Sequence, residues 1–169
     1  MRLTLLLLLF SEILTAQEIK VEYDKKRDFS TYKTFSFGEG QVVLPPDQKQ
    51  LSSSVIDKWI KNGVRRELES KGLQRVDSAA DVKVSYVFLT TAREDLQRIG
   101  PLGQTPGSTA TTWSRDYIQT SLIIDLNTKK DLIWRVNATV TVSGADGERV
   151  VDMVVEKGFK KFGKPSKKR

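Results

Sequence analysis

The sequence predicts an α+β domain: a mostly antiparallel sheet of about five strands with two helices packed on one of its faces. Several segments alternate apolar and polar residues with the period of two that is typical of half-buried strands. Two others repeat apolar residues every three to four positions, as amphipathic helices do. The predicted order is β-β-α-β-β-β-α, and the polar strand faces favour an antiparallel sheet with helices on one side and water on the other.

The first two elements are predicted strands. Residues 18–24, EIKVEYD, alternate apolar and charged side chains. After a turn, a second strand is predicted from about Thr31 to Phe37. Glycines and prolines then favour a break in the chain: Gly38, Gly40, Pro45 and Pro46.

The third element is a helix that is predicted to begin at a serine cap and to stop at Gly72. Ser53 or Ser54 can accept a hydrogen bond from the backbone N–H groups of the first turn, and a glycine commonly follows the last helical residue. Gly63 lies beside the apolar stripe, where it favours close packing on the sheet. The stripe comprises residues three to four positions apart: Val55, Ile56, Trp59, Ile60, Val64 and Leu68.

Three further strands and a second helix complete the predicted fold, with residues 127–131 as a hairpin connection. The strand residues expected to face the helices are Val82, Val84, Tyr86 and Phe88, then Ile118, Thr120, Leu122, Ile124 and Leu126, then Leu132, Trp134, Val136, Ala138, Val140 and Val142. A turn at residues 144–147 precedes the last helix. Its buried stripe comprises Val150, Val151, Val154, Val155, Gly158, Phe159 and Phe162.

Residues 93–116 are predicted to form a long loop between two of these strands. The segment is rich in Gly, Pro, Ser and Thr and has no apolar period. Loops beyond about 12–15 residues are usually functional or disordered. Trp113, the one large apolar residue near its end, is expected either to pack on the sheet edge or to be exposed as a contact residue.

The first sixteen residues have the order of a secretory signal peptide. A basic residue is followed by an apolar run from Leu3 to Phe10 and by the small pair Thr15-Ala16, which predicts cleavage before Gln17. The alternative is an N-terminal helix buried in the domain. The run is too short to cross a membrane, which takes about 20 apolar residues, so we expect a soluble exported protein, most simply a periplasmic one.

Cysteine and histidine are both absent, which excludes several kinds of chemistry. Without cysteine there is no lipoprotein anchor, disulfide or thiolate metal site, and Gln17 stands where a lipoprotein carries its acylated cysteine. Without histidine, Ser-His-Asp and Cys-His catalysis is impossible. A Ser-Lys pair, a carboxylate pair and an oxygen-ligated metal are the options left. None shows a recognisable motif, so we predict no catalytic residue, metal or cofactor.

The positive charge is concentrated at the C-terminus. The formal net charge is +7, and the seven basic residues after Glu156 are accompanied by no acid, so the rest of the chain is neutral overall. Such a tail is either a solvated terminus or a contact with an anionic surface, worth about 1 kcal/mol per basic residue near an acidic membrane. Nucleic acid is not an expected partner of an exported chain. The candidate contact residues are Lys160, Lys161, Lys164, Lys167, Lys168 and Arg169.

In this order the elements resemble a bacterial envelope family known as a domain of unknown function, DUF4136. The resemblance is carried by VEYDKKRDFSTYKTFSF, LESKGLQRV, AADVKVSY and SLIIDLNTKKDLIWR, and by the final helix ending in Phe162. It implies an exported protein, since many members look like lipoproteins, and it implies no activity. Gln17 departs from the lipoprotein pattern, and Val136 stands where the family tends to place glycine after Trp-Arg.

The predicted organisation is a signal peptide (1–16), one DUF4136-like domain (17–162) and a basic tail (163–169). We expect an exported, non-enzymatic binding or accessory module whose partner is an envelope protein or an anionic envelope surface. Asp125 and Arg135 are expected to share the outer sheet face, either orienting a ligand or forming a cross-strand ion pair. The alternatives are a hydrolase that uses carboxylates or a Ser-Lys pair, and a structural subunit that assembles through a sheet edge.

Overall fold

Two helices cover one face of a six-stranded sheet in the computed structural model. It describes residues 18–45, 52–99, 111–142 and 147–163, of which 92–99, 111–118 and 141–142 are described by their backbone alone. The elements in chain order are β1 (Glu18–Tyr23), β2 (Thr34–Val43), α1 (Ser53–Ser70), β3 (Gln74–Arg75), β4 (Val82–Ile99), β5 (Thr111–Asn127), β6 (Leu132–Val142) and α2 (Gly147–Phe159).

The sheet is mixed, and its spatial order is β1-β6-β5-β4-β2-β3. The pairs β1–β6, β6–β5 and β5–β4 are antiparallel, whereas β2 is parallel to both β4 and β3. The prediction of a mostly antiparallel sheet of about five strands is therefore only partly right. The parallel pairs arise because α1 carries the chain back to the end of the sheet where β2 begins. The strand that was not predicted is β3, which has only two residues, too few to show an alternation of apolar and polar side chains.

Helix α1 begins one residue earlier than its sequence suggests. The side chain of Ser52 accepts a hydrogen bond from the Val55 N–H and caps the helix, and Gly72 follows its end with a φ of +87°. Val55 was expected to be buried but is 38% exposed, because it lies in the first turn. The rest of the stripe enters the core at Ile56, Ile60, Val64 and Leu68.

Gly63 packs against the second helix, not against the sheet as the sequence suggested. A Cβ atom placed on Gly63 would lie 3.4 Å from a carboxylate oxygen of Asp152 and 3.5 Å from Val155, both on α2. Arg66, one turn further along α1, forms a 2.8 Å ion pair with Asp152. The two helices therefore form one layer through their own contact.

An aromatic cluster fixes α2 on the sheet. Trp134 of β6 has no exposed surface, stacks on Tyr23 with ring centroids 4.2 Å apart, and donates its indole N–H to the Gly158 carbonyl at 3.2 Å. Phe162 adds ring contacts at 5.3 Å to Trp134 and 5.2 Å to Phe29. Gly158 faces Val136, where an added Cβ would lie 2.6 Å from a methyl carbon. The backbone of α2 therefore approaches β6 directly.

Strand β2 starts at Thr34 and ends at Val43, both later than predicted. Its end is later because Gly38 and Gly40 lie inside the strand. Its pairing with β4 shifts register between Phe37 and Gly40. A Cβ on Gly40 would overlap the ring of Tyr86, and a Cβ on Gly38 would lie 2.6 Å from the Lys83 side chain. The two glycines therefore admit side chains of the neighbouring strand and do not break the chain.

The start of β6 also differs from the sequence prediction. Leu132, expected in the core, is 45% exposed, and Ile133, expected outside, is 2% exposed. The cause is a register shift: Leu126 pairs with Trp134 and Asn127 pairs with Leu132, which leaves Ile133 as an extra residue. A bulge of this kind reverses which residues of the strand face the core on either side of it.

The predicted loop at residues 93–116 is largely strand. β4 and β5 pair without interruption from Lys83–Asn127 to Ile99–Thr111, and only residues 100–110 of the segment lie outside the described ones. β2 ends opposite Leu89, and β6 ends opposite Ile118. We call residues 92–99 and 111–117 the ribbon. Beyond the neighbouring strands a hairpin has no core to face, so it lacks the apolar alternation by which strands are recognised.

Candidate functional site on the outer sheet face

The candidate site is the outer face of the sheet, which is turned away from the helices. Cross-strand register arranges its residues in rows. The first row is polar and contains Glu22, Arg135, Asp125 and Ser85. The second row comprises Lys20, Asn137, Ile123, Val87 and Gln41, and the third comprises Glu18, Thr139, Ser121, Leu89 and Val43. The β1–β6 half of the face is thus polar, whereas the β4–β2 half is partly apolar.

Asp125 and Arg135 form a two-pronged ion pair in the first row. The Arg135 Nε lies 2.7 Å from Asp125 Oδ1, and a terminal guanidinium nitrogen lies 2.6 Å from Oδ2. The hydrogen bonds to Asp125 raise the pKa of Arg135, and the nearby Glu22 carboxylate contributes in the same direction. Of the two interpretations of this pair, the geometry shows the cross-strand ion pair, which uses the whole fork of the guanidinium.

Ser85, beside this ion pair, makes a hydrogen bond to an amide and not to a lysine. The Asn127 side-chain nitrogen donates to Ser85 Oγ at 3.3 Å. An amide cannot take a proton from a hydroxyl group at neutral pH, so this contact does not activate Ser85 as a nucleophile. The described contact of Ser85 is therefore not that of a Ser-Lys pair.

An apolar stripe runs across β5, β4 and β2 in the next two rows. Val43, Val87 and Leu89 are 39%, 40% and 37% exposed, and Ile123 beside them is half-buried. Register places Val43 opposite Leu89 and Val87 opposite Ile123. We call these four residues the outer stripe. Their sequence signal is the segment VSYVFLTT, in which apolar residues occupy both faces of the strand.

A shallow depression of about 470 Å³ lies where the outer stripe meets the polar row. Its walls combine apolar side chains, two carboxylates and exposed backbone: Glu39, Gly40, Gln41, Ser85, Tyr86, Val87, Ile123 and Asp125. Asp125 is neutralised by Arg135, whereas Glu39 is exposed at the rim. The depression can therefore hold an apolar side chain next to a cationic group.

Tyr86 lines the depression from the core side, and its hydroxyl group is hydrogen-bonded to a residue of α1. Its hydroxyl donates to the Asp57 carboxylate, whose second oxygen lies 2.8 Å from the Lys61 ammonium. Burial and the hydrogen bond to Asp57 raise the pKa of Tyr86. Burial opposes the ionised form of Asp57, but hydrogen bonds from Lys61 and Tyr86 outweigh it and lower the pKa of that carboxyl. Tyr86 is thus held as a protonated donor and does not act as a base.

A second depression, of about 370 Å³, lies near the β5–β6 turn, and residues 77–81 form one of its walls. Asp81 closes this wall: its Oδ2 accepts hydrogen bonds from the backbone N–H groups of Lys33 and Thr34, both at 2.9 Å. These bonds lower the pKa of Asp81. They connect the starts of β2 and β4, so we assign this carboxylate a structural role.

Three of the other predicted contact residues lie in the described part of the chain. Trp113 lies in β5, where its backbone pairs with Gln97 of the ribbon. Lys160 and Lys161 are exposed directly after α2. The remaining candidates lie outside the described residues: Lys164, Lys167, Lys168 and Arg169.

Three kinds of feature are absent from the described ranges. No group of three or more Asp or Glu side chains is placed to hold a metal ion. No buried side-chain nitrogen or oxygen lacks a hydrogen-bond partner. Neither described helix is long and apolar enough to cross a membrane.

These features define a class of protein: an α+β domain with a helix-covered mixed sheet whose open face presents a shallow, partly apolar surface. The particular family follows from the sequence. Residues 19–162 match the family model of the domain of unknown function DUF4136. The chain belongs to this family, as its resemblance predicted, and no protein of curated function matches its sequence.

Solved structures show the same fold at low sequence identity. A DUF4136 family protein from Bacteroides thetaiotaomicron aligns with a TM-score of 0.51 and 15% identity, over 86% of this chain and 95% of that one. A PDZ domain protein from Parabacteroides distasonis aligns with a TM-score of 0.53 and 14% identity, over 90% of this chain and 37% of that longer chain. The PelC dodecamer from Paraburkholderia phytofirmans aligns with a TM-score of 0.51 and 11% identity, over 90% of this chain and 99% of that one. Identities this low establish the fold alone.

Proposed function

We propose that this protein is an exported, non-enzymatic binding module of the cell envelope. In this proposal the outer stripe holds an extended polypeptide segment of a partner protein. The observation that carries the proposal is the exposure of Val43, Val87 and Leu89 together on a sheet face whose first row and β1–β6 half are polar. Scattered exposed apolar residues are common on protein surfaces, whereas a contiguous patch rimmed by polar residues is typical of an interaction site.

The chemistry of the face favours a partner segment with apolar side chains beside a basic one. Val87 and Ile123 offer an apolar wall to the 470 Å³ depression, and Glu39 stands exposed on its rim. A Lys or Arg of the partner would face Glu39 while an apolar neighbour covered Val87. An exposed ion pair of this kind adds little affinity but selects partners by charge.

The polar groups of the face support binding over catalysis. The carboxylate of Asp125 is bound to Arg135, Ser85 accepts from an amide, and Tyr86 donates to Asp57. Each of these three groups already has a contact that does not activate it as a base or nucleophile. A hydrolase that used any of them would require that contact to be broken first.

Export is supported by the leader-like first sixteen residues and is tested separately. Fractionation of the native organism, followed by N-terminal sequencing, is expected to find the protein outside the cytoplasm with Gln17 as its first residue. Recovery of an intact Met1 form from the cytosol would contradict the export part of the proposal.

Site-specific photo-crosslinking in living cells tests the binding surface. A photoreactive phenylalanine analogue at Val87 is expected to give one discrete higher-mass adduct, whose partner peptide is identified by mass spectrometry. The matched control carries the same group at Lys58, an exposed residue of α1. Crosslinking at neither position, or equally at both, contradicts the assignment of the outer stripe. Replacing Leu89 with Asp should remove the Val87 adduct, since it places a charge in the apolar patch.

A further inference from the structure

The ribbon leaves two strand edges without a partner in the described part of the chain. β4 has no neighbour on its β2 side from residue 90 to residue 99, because β2 ends opposite Leu89. β5 has none on its β6 side from residue 111 to residue 117, because β6 ends opposite Ile118. At 3.3–3.4 Å per residue the ribbon extends roughly 25 Å beyond its neighbours. Its unpaired N–H and C=O groups are a template for another strand.

The ribbon is weakly stabilised by its own pairing. A two-stranded hairpin alone is marginally stable in water. Register places Glu94 of β4 opposite Asp116 of β5, and like charges directly opposite each other destabilise a strand pair. A cation at the register position next to Glu94 on the unpaired edge of β4 would offset this repulsion.

We propose that a second copy of this chain supplies that cation by pairing β4 to β4 across a two-fold axis at Leu96. An antiparallel register with Leu96 opposite Leu96 of the other copy places Glu94 opposite Arg98, and Arg98 opposite Glu94. The remaining facing pairs join Asp95 with Gln97 and Arg93 with Ile99. Each Arg98 then occupies the register position next to Glu94 of the other copy, in the same cross-strand row as Asp116. The sequence of this edge is thus complementary to itself, as an interface with two-fold symmetry requires.

The geometry favours the β4 edge over the β5 edge. On β4 the register above pairs residues 93–99 of each copy, which stay clear of β2 because β2 stops opposite Leu89. On β5 a similar two-fold register would pair Arg115 with Asp116 of the other copy. That register brings β6 of one copy, which begins its pairing at Ile118, against β5 of the other beyond Trp113. Only about four residues could pair before the collision, too few for a stable strand pair.

Charge exchange tests the register in the purified protein that comprises residues 17–169. The wild type is expected to sediment as a dimer, and Glu94→Arg and Arg98→Glu are each expected to raise the dimer dissociation constant about tenfold or more. The double variant E94R/R98E should restore wild-type dimerisation. Arg93→Glu, the same charge change at a position facing Ile99, is the matched control and should leave the dimer intact.

Glu94→Arg separates the interface from the ribbon itself. The new arginine stands opposite Asp116 in the β4–β5 register, so it should strengthen the ribbon while it weakens the dimer. A wild type that is monomeric, or a dimer that Glu94→Arg leaves unchanged, would overturn the proposal. A monomer that pairs with a strand of another protein would do so equally, because the proposed occupant is a second copy.

A disulfide gives a second test, since the chain contains no cysteine. Directly facing residues of an antiparallel pair have Cα atoms about 4.5–5.5 Å apart, which is within disulfide range. Leu96→Cys should therefore oxidise to a covalent dimer, whereas Arg93→Cys, three positions from the axis, should stay monomeric on a denaturing gel. Equal crosslinking of the two variants, or none, would contradict the proposed axis.

Discussion

Asp81 and Thr34 exchange hydrogen bonds at the point where β2 and β4 start side by side. The backbone N–H and hydroxyl of Thr34 donate to Asp81 Oδ2 at 2.9 and 3.0 Å, and the Asp81 N–H donates back to the Thr34 hydroxyl at 3.0 Å. The first paired residues of the two strands, Phe35 and Val82, follow at once. The exchange therefore sets the register of the parallel pair.

Replacing Asp81 with Ala is expected to lower the free energy of unfolding by about 1–2 kcal/mol, because three donors lose their acceptor. The measurement is urea denaturation followed by circular dichroism. Asp77→Ala is the control, since the Asp77 side chain is 97% exposed and lies 3.7 Å from Arg75. We expect it to change stability by less than about 0.5 kcal/mol. Equal effects of the two substitutions would contradict the role given to Asp81.

The same carboxylate predicts a dependence of stability on acid. The pKa of Asp81 is lower in the folded protein than the value of about 3.9 for an unfolded chain, because of its hydrogen bonds from Lys33 and Thr34. Its charge therefore stabilises the fold fully above that value and loses this effect as the pH falls through the folded-state pKa. The stability difference between wild type and Asp81→Asn should be present at pH 7 and vanish at low pH. A stability difference between the two proteins that grows as the pH falls below 4 would contradict this prediction.

Two glycines in the helices should respond to alanine in opposite directions. Gly158→Ala brings a Cβ to 2.6 Å from Val136, so we expect a loss of about 1–3 kcal/mol from overpacking. Gly63→Ala meets its neighbours at 3.4 Å or more, so the better helix propensity of alanine should add up to about 1 kcal/mol. Thermal and urea unfolding of both variants test this contrast. A stabilising Gly158→Ala would mean that α2 does not contact β6 as closely as described.

Residues 160–163 form the turn after α2 and are the last described residues of the chain. Phe162 is 1% exposed and contacts Phe29 and Trp134, so Phe162→Ala should cost about 3–5 kcal/mol. Lys161→Ala, at an exposed neighbouring position, is the matched control. Deletion of residues 164–169 should also leave the unfolding midpoint unchanged. A midpoint shift as large as that of Phe162→Ala would show that the tail belongs to the fold.

The same deletion tests the basic tail as an anionic-surface contact. It removes Lys164, Lys167, Lys168 and Arg169. We expect binding to vesicles that contain acidic phospholipid to fall by roughly three orders of magnitude at low salt, since each of the four basic residues contributes about 1 kcal/mol. Vesicles of neutral lipid are the control. Unchanged binding, or binding that is insensitive to salt, would contradict an electrostatic role.

The sequence predicts best where one face of an element is buried. Val82, Val84, Tyr86 and Phe88 alternate as predicted and lie in the core, and Gly72 ends α1 with a positive φ. The inverted pattern at Leu132 and Ile133 depends on a bulge between paired strands, and a single strand's sequence carries no record of its register.

Strand direction and the candidate site were harder to predict for a related reason. The parallel orientation of β2 and β4 depends on the end of the sheet to which α1 returns the chain, which the local sequence does not encode. The Asp125–Arg135 ion pair could be predicted, because the alternation of two strands and the hairpin between them place both residues on the outer face. The outer stripe was not predicted, although Val87 and Leu89 alternate with the predicted core residues Tyr86 and Phe88, because exposed apolar residues alone do not distinguish a binding patch from an ordinary surface.

The pairing of β1 with β6 has a consequence for how the molecule is made. Glu18 pairs with Thr139, and β1 has no other strand neighbour in the described sheet. The first strand to be synthesised is therefore the last to find its place, since β6 emerges after every other strand. Contacts so distant along the chain slow folding, so we infer that the β4–β5–β6 meander forms first and that the N-terminal strand docks onto it after translation is complete.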